Sequence, residues 1–219
     1  MNNDLLSLLY LPLFIAGMIV VITTINVLRM GHAERMLKPL LGGERLVASH
    51  PMYAAADVWA KAHGFQWAGA YRFEQVVVLG WEHPILERAF CMYSAAGKTV
   101  CEFNAGFDDD TRLSSSNMRD AFFLPSRPGV FKQAFLHRNH EAIWKIHSET
   151  EAYFHETYGR RVAPKSGTFS QALINSCTRQ MKHVRSLPLW PLRSPWWYCV
   201  NRFTKPNRPV RELYSMTRR

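Results

Sequence analysis

With 219 residues, a formal net charge of +10 and 47% hydrophobic residues, the chain can hold a membrane segment and one ordinary domain with a real core, but not two comfortable domains. Its four cysteines, Cys91, Cys101, Cys177 and Cys199, contain no CxxC pair and no metal-ligand spacing, which excludes a disulfide framework and suits reduced, buried thiols. No internal repeat or low-complexity tract interrupts the sequence.

The first element is a 24-residue run without a charged side chain, Leu5 to Leu28, long enough as a helix to cross a bilayer core of about 30 Å. A cleaved signal peptide fits less well, because Met1 to Asp4 lacks a positive n-region and no small-residue cleavage site closes the run. Arg29, Arg35, Lys38 and Arg45 follow the run and no Lys or Arg precedes it, so the charge rule predicts an inner-membrane, single-pass anchor with the N-terminus outside and the domain cytoplasmic. Pro12 falls near the start of the span, and Ala16 and Gly17 offer a flat patch for a neighbouring helix.

Residues 31–50 read as a juxtamembrane linker and 51–185 as an α+β domain, an antiparallel β-meander packed with about three helices. The first helix starts at Pro51 and stops at Gly64. From Phe65 to about Phe135, turn signals at Glu74–Gln75, Glu82–Pro84, Ala95–Lys98 and Asp108–Asp110 divide four or five strands. In one of them Cys101, Phe103, Ala105 and Phe107 share a face opposite Glu102 and Asn104. A three-residue loop at Ala95 to Gly97 would set Cys91 against Cys101, within disulfide reach; a two- or four-residue loop would set Cys91 against Glu102. The second helix runs from an Asn139 cap to Tyr158 with Gly159 as its stop, and the third from Thr168, with Gln171 three residues on, to Arg185.

On the second helix His147, Glu151 and His155 recur every four residues, with His140 one heptad before His147. Imidazole and carboxylate at this spacing form a metal candidate, set against the plainer reading of polar residues bordering an apolar stripe, and a ligand from another element is missing. His140-Glu141 opens like a zinc-protease motif, but Trp144 occupies the second histidine position. Gly97-Lys98-Thr99 ends like a phosphate loop, yet Met92 replaces its first glycine and a strand follows it. Asp108, Asp109 and Asp110 lack the ligand alternation of a calcium loop and read as a solvated turn; Ser114, Ser115 and Ser116 read as a polar strand edge.

The last segment, residues 186–219, carries most of the excess charge: residues 182–219 hold nine Lys or Arg against the single acid Glu212. Prolines at 188, 191, 195, 206 and 209 exclude one long helix. Trp190, Arg193, Trp196, Trp197, Tyr198, Arg202, Phe203 and Lys205 combine the aromatic rings and cations of a membrane-interface or docking segment; an irregular tail packed on its own domain is the alternative. No nucleic-acid recognition motif accompanies the charge. No cofactor or complete catalytic motif is legible. The sequence therefore predicts a non-catalytic accessory or scaffold subunit that contacts integral-membrane partners and anionic lipids. A membrane-tethered enzyme with a His/Glu metal site, or a lipid-binding domain, are the alternatives.

Overall fold

The computed structural model describes residues 3–95 and 98–214. Helix α1, Asn3–Met30, contains the apolar run, and its Leu13–Met30 portion is apolar enough to cross a membrane. From Tyr10 to Ile19 its described side chains are exposed on all sides. From Val20 onward one face is covered: Thr23 and Val27 are buried, and Val27 packs with Leu124, Met181 and Val184. Val21, Ile22, Ile25 and Leu28 remain exposed on the other face.

The segment read as a linker is ordered structure: α2 (Ala33–Met36), strand β1 (Leu37–Pro39) and α3 (Gly43–Ser49). Strand β1 pairs with β2 (Gln66–Phe73), so the domain begins before residue 51. Its three residues lie on a sheet edge, where Pro39 is tolerated and period-two patterning is too short to read. Helix α4, Pro51–Ala62, follows with proline in its first turn, and Gly64 adopts φ +82°, the left-handed conformation that stops it.

Strands β2, β3 (Val76–Glu82), β4 (Arg88–Ala95), β5 (Lys98–Gly106) and β6 (Arg112–Ser116) form the antiparallel meander, each beside its sequence neighbour. The seventh strand, β7 (Val130–Ala134), departs from that pattern and runs parallel to β6. The connection 117–129, containing a short 3-10 helix at Arg119–Phe122, is long enough to carry the chain back to the starting end of β6.

The meander follows from its alternation. On one face Leu79, Trp81, Phe90, Met92, Cys101 and Phe103 meet Trp59 of α4 and Ile143 of α5 (His140–Tyr158). Phe90 and Phe103 stack with centroids 4.6 Å apart, Trp81 stacks on Phe90 at 5.0 Å, and Trp59 meets both phenyl rings edge-on at 5.5 Å. Further along, Ala105, Phe107 and Leu113 pack with Phe154 of α5. Asn139 caps α5 by accepting from the Ala142 amide at 3.0 Å, and Gly159 ends it at φ +69°.

Helix α6, Phe169–Ser186, crosses the opposite face. Thr168 caps it through the Gln171 amide. Its first residue, Phe169, lies flat on Gly80, where an added Cβ would meet the ring at 2.5 Å. Gly80→Ala should therefore displace Phe169 and destabilise the fold by about 1–3 kcal/mol, the usual cost of overpacking a filled site. A thermal melt of the full-length protein in detergent checks this, and an unchanged midpoint would mean that α6 is not seated there.

The observed register pairs Cys91 with Glu102 and Met92 with Cys101, the outcome of a two-residue loop; Ala96 and Gly97 lie outside the described residues. Cys91 faces α6 and Cys101 faces the α4/α5 core, so the two thiols occupy opposite faces of the sheet and cannot join. All four cysteines are free. Burial raises the Cys101 thiol to about 12 and pushes Cys91 higher still. In the native protein at neutral pH iodoacetamide should modify exposed Cys199 and spare Cys91 and Cys101 until denaturant is added, as peptide mass mapping would record.

Candidate functional site

A polar network lies inside the α5-facing half of the core. Ser115 of β6 and His147 of α5 are both completely buried, with Ser115 Oγ 2.8 Å from His147 Nδ1. Gln133 of β7 donates from Nε2 to Ser115 Oγ at 2.8 Å and to Thr150 Oγ1 at 3.0 Å. Its Oε1 accepts the main-chain N–H of Val210, which opens the short helix α8 (Val210–Leu213). His147 Nε2 sits 3.1 Å from Glu151 Oε1, off the hydrogen-bonding axis, so this contact is electrostatic. Arg88 of β4 grips Glu151 with both arms of its guanidinium.

The Glu151 environment sets two effects against each other. Burial raises its pKa, but the neighbouring His147 and the Arg88 guanidinium together outweigh burial and leave it below the ordinary carboxylate value. A carboxylate beside Nε2 favours the proton there, leaving Nδ1 to accept from the Ser115 hydroxyl. Serine, histidine and carboxylate in that order match the parts of a nucleophilic triad, but the fold closes over them. The arrangement ties three strands, β4, β6 and β7, to two helices, α5 and α8, instead of meeting solvent.

The other metal candidates are dispersed. His140, at the start of α5, stands edge-on to Trp59 at 5.2 Å, and burial lowers its pKa. His155 is exposed near the far end of the helix. Among the described residues no three His, Cys, Asp or Glu side chains converge as metal ligands. Helical spacing brings His147 and Glu151 to one side of α5, whereas Ser115, Gln133 and Arg88 each arrive from a separate strand, which local spacing does not reveal. The serine triplet is not a strand edge. It lies between β5 and β7, with all three side chains buried.

Arginines surround the aspartate turn. Arg160 Nε donates to Asp109 at 2.6 Å, and Arg127 and Arg179 approach Asp110 at 3.5 and 3.4 Å. These cations occupy the oxygens a divalent ion would need.

The sheet face toward α6 carries a second polar group. Sheet register sets Asn104, Ser114 and Lys132 side by side on β5, β6 and β7, with Glu102 one step along β5. Ser114 Oγ donates to Glu102 at 2.5 Å. Tyr93, Glu102, Asn104 and Lys132 all retain intermediate exposure beneath α6, whose Cys177 completes the group. Glu102 and Asn104 are thus partly exposed, while their strand neighbours Phe103 and Ala105 are sealed.

The tail contains α7, Trp190–Thr204, with Pro191 in its first turn and Pro195 accommodated within it. The prolines break the tail as a whole, between α6, α7 and α8, without preventing this 15-residue helix. Trp190 packs with Val27 of α1 and Leu124. Tyr198 donates to Asp120 Oδ1 at 2.6 Å, and Arg202 lies 4.7 Å from the Tyr198 ring centroid and 5.2 Å from that of Phe203. Leu189, Leu192, Trp196, Val200 and Phe203 form a stripe at helical spacing on the outward side, with Trp196 and Phe203 each 72% exposed. Arg193 is exposed beside it, while Trp197 and Lys205 turn inward. Ala16 and Gly17 are exposed on α1, with nothing within 4 Å of a Cβ built at Gly17.

No family model, curated protein or solved structure matches this chain.

Proposed function

We propose that this chain is a membrane-anchored, non-catalytic accessory subunit of a larger integral-membrane assembly, with its domain on the cytoplasmic side. The observation that carries this reading is the apolar surface shared by two packed helices: Val21, Ile22, Ile25 and Leu28 of α1, and Leu192, Trp196, Val200 and Phe203 of α7. A solvated domain rarely leaves so many large apolar side chains on adjoining helices. Their position beside a helix of spanning length suits contact with a partner's transmembrane helix, for which Ala16 and Gly17 offer a close-approach patch further along α1. The closed Ser115–His147 pair favours an interaction role over catalysis at that network.

Purification of the tagged full-length protein from its native membrane in mild detergent tests the proposal. A stoichiometric multi-subunit complex is expected for the wild type. Leu192→Glu combined with Trp196→Glu should release the chain from that complex while leaving it membrane-bound through α1. A wild-type protein that purifies as a lone monomer or homodimer would overturn the reading.

A further inference from the structure

The stretch of α1 before its covered face is too short to cross a bilayer on its own. From Leu5, where the uncharged run begins, to Ile19, the last residue before one face is covered, the helix measures about 22 Å over 15 residues, about 8 Å short of a hydrocarbon core of about 30 Å. The missing length lies in Val20 to Leu28, the portion that meets the domain on one face and exposes Val21, Ile22, Ile25 and Leu28 on the other. Whatever packs beside that portion therefore lies at bilayer depth.

Helix α7 packs there. Trp190 at its start joins Val27 in one cluster, and its polarity is the reverse of a solvated surface helix: Ser194 and Asn201 are buried, while Leu192, Trp196, Val200 and Phe203 face outward. Cations collect near the end of the apolar run. Arg29 closes it, the Arg185 guanidinium lies 3.8 Å from a Cβ built at Gly31, and Arg193 is exposed beside the α7 stripe.

We infer that α7 is a second membrane element, seated in the leaflet on the domain's side, with Leu192, Trp196, Val200 and Phe203 among lipid chains and Arg29, Arg185 and Arg193 at the level of the phosphates. Sinking the domain to this depth supplies the length that α1 lacks, whereas thinning the bilayer around α1 would leave the α7 stripe in water. Indole and phenyl rings beside arginine suit this depth, because the rings enter the acyl boundary while the guanidinium groups reach phosphate. The inference deepens the accessory-subunit reading and rests on its membrane anchor: phospholipid covers the stripe in the isolated chain, and a partner helix replaces that lipid inside the bilayer.

The test uses full-length protein in vesicles of equal parts phosphatidylcholine and phosphatidylglycerol, carrying Cys177→Ser and Cys199→Ser so that only the buried Cys91 and Cys101 remain. Leu192→Cys, Trp196→Cys and Phe203→Cys are each spin-labelled, as are Ile19→Cys on α1 and Glu149→Cys on the exposed side of α5, and far-UV circular dichroism establishes that each is folded. Collision of the label with oxygen, which concentrates in lipid, is compared with collision with a water-soluble nickel chelate. The oxygen-to-nickel ratio at the three stripe positions should match that at Ile19 and exceed that at Glu149 severalfold. A stripe ratio equal to that at Glu149, with Ile19 keeping its lipid value, would overturn the embedding of α7 and leave the anchor standing. Low collision with both reagents would put a second copy of the chain on the stripe and overturn the embedding equally. A water-like Ile19 would remove the anchor, and the inference with it. The three stripe positions face outward, so each variant should fold; should one fail, the other two carry the comparison.

Discussion

Glu151→Ala should remove about 3 kcal/mol of stability, the lower end of the range for breaking a buried ion pair, because Arg88 keeps a quarter of its side chain in solvent. The loss has two parts. Arg88 is left without its acceptor, and the sealed His147 ring loses the charge beside Nε2. Urea unfolding of the full-length protein in detergent reads the difference, and a change under about 1 kcal/mol would mean that the network does not hold the sheet to α5. The acid limb provides a separate check. Since the folded state depresses the Glu151 pKa below its ordinary 4.5, its contribution is complete above that value and is lost as pH falls through the lower folded value. Wild type should therefore lose stability on acidification below about pH 4.5 more steeply than Glu151→Gln, which has no carboxyl to protonate.

Trp81→Ala should cost about 4 kcal/mol, as expected when a large aromatic leaves a filled core. Trp81 is fully buried, stacks on Phe90 and meets Trp67 at 5.1 Å. Its indole N–H also donates to Asp57 Oδ1 at 2.9 Å, tying β3 to α4. Trp81→Phe separates the two contributions: it retains most of the packing and loses only that hydrogen bond, a difference of about 1 kcal/mol. Melting temperatures of both variants report the split, and equal losses would place the stabilisation in the hydrogen bond instead of the rings.

Local signals in the sequence were sufficient where structure is local. Asn139, Gly159, Thr168, Pro51 and Gly64 mark helix ends by backbone chemistry that needs no tertiary partner, and each marks an end in the fold. The alternation through Cys101, Phe103, Ala105 and Phe107 likewise gave the core face of β5. Non-local arrangements were not legible. The pairing of β1 with β2 spans more than thirty residues and involves only Leu37 to Pro39, too few for a pattern. The parallel placement of β7 depends on where the 117–129 connection lies, which composition does not encode. His147 and Glu151 looked like residues on the border of a helix stripe because their burial depends on Ser115, Gln133 and Arg88 from three other strands. What covers the polar face of β5 is likewise non-local, because α6 begins more than sixty residues later.

The way α1 meets the domain also determines how force could travel through the molecule. Val27 is completely buried among residues of α6 and the loop after the 3-10 helix, and Trp190 joins the same cluster. There is no slack hinge between rod and head. A twist or tilt applied to the N-terminal half of α1 would turn the sheet with it, as a key turns its bow, whereas a chain tethered by a loose linker would absorb the motion.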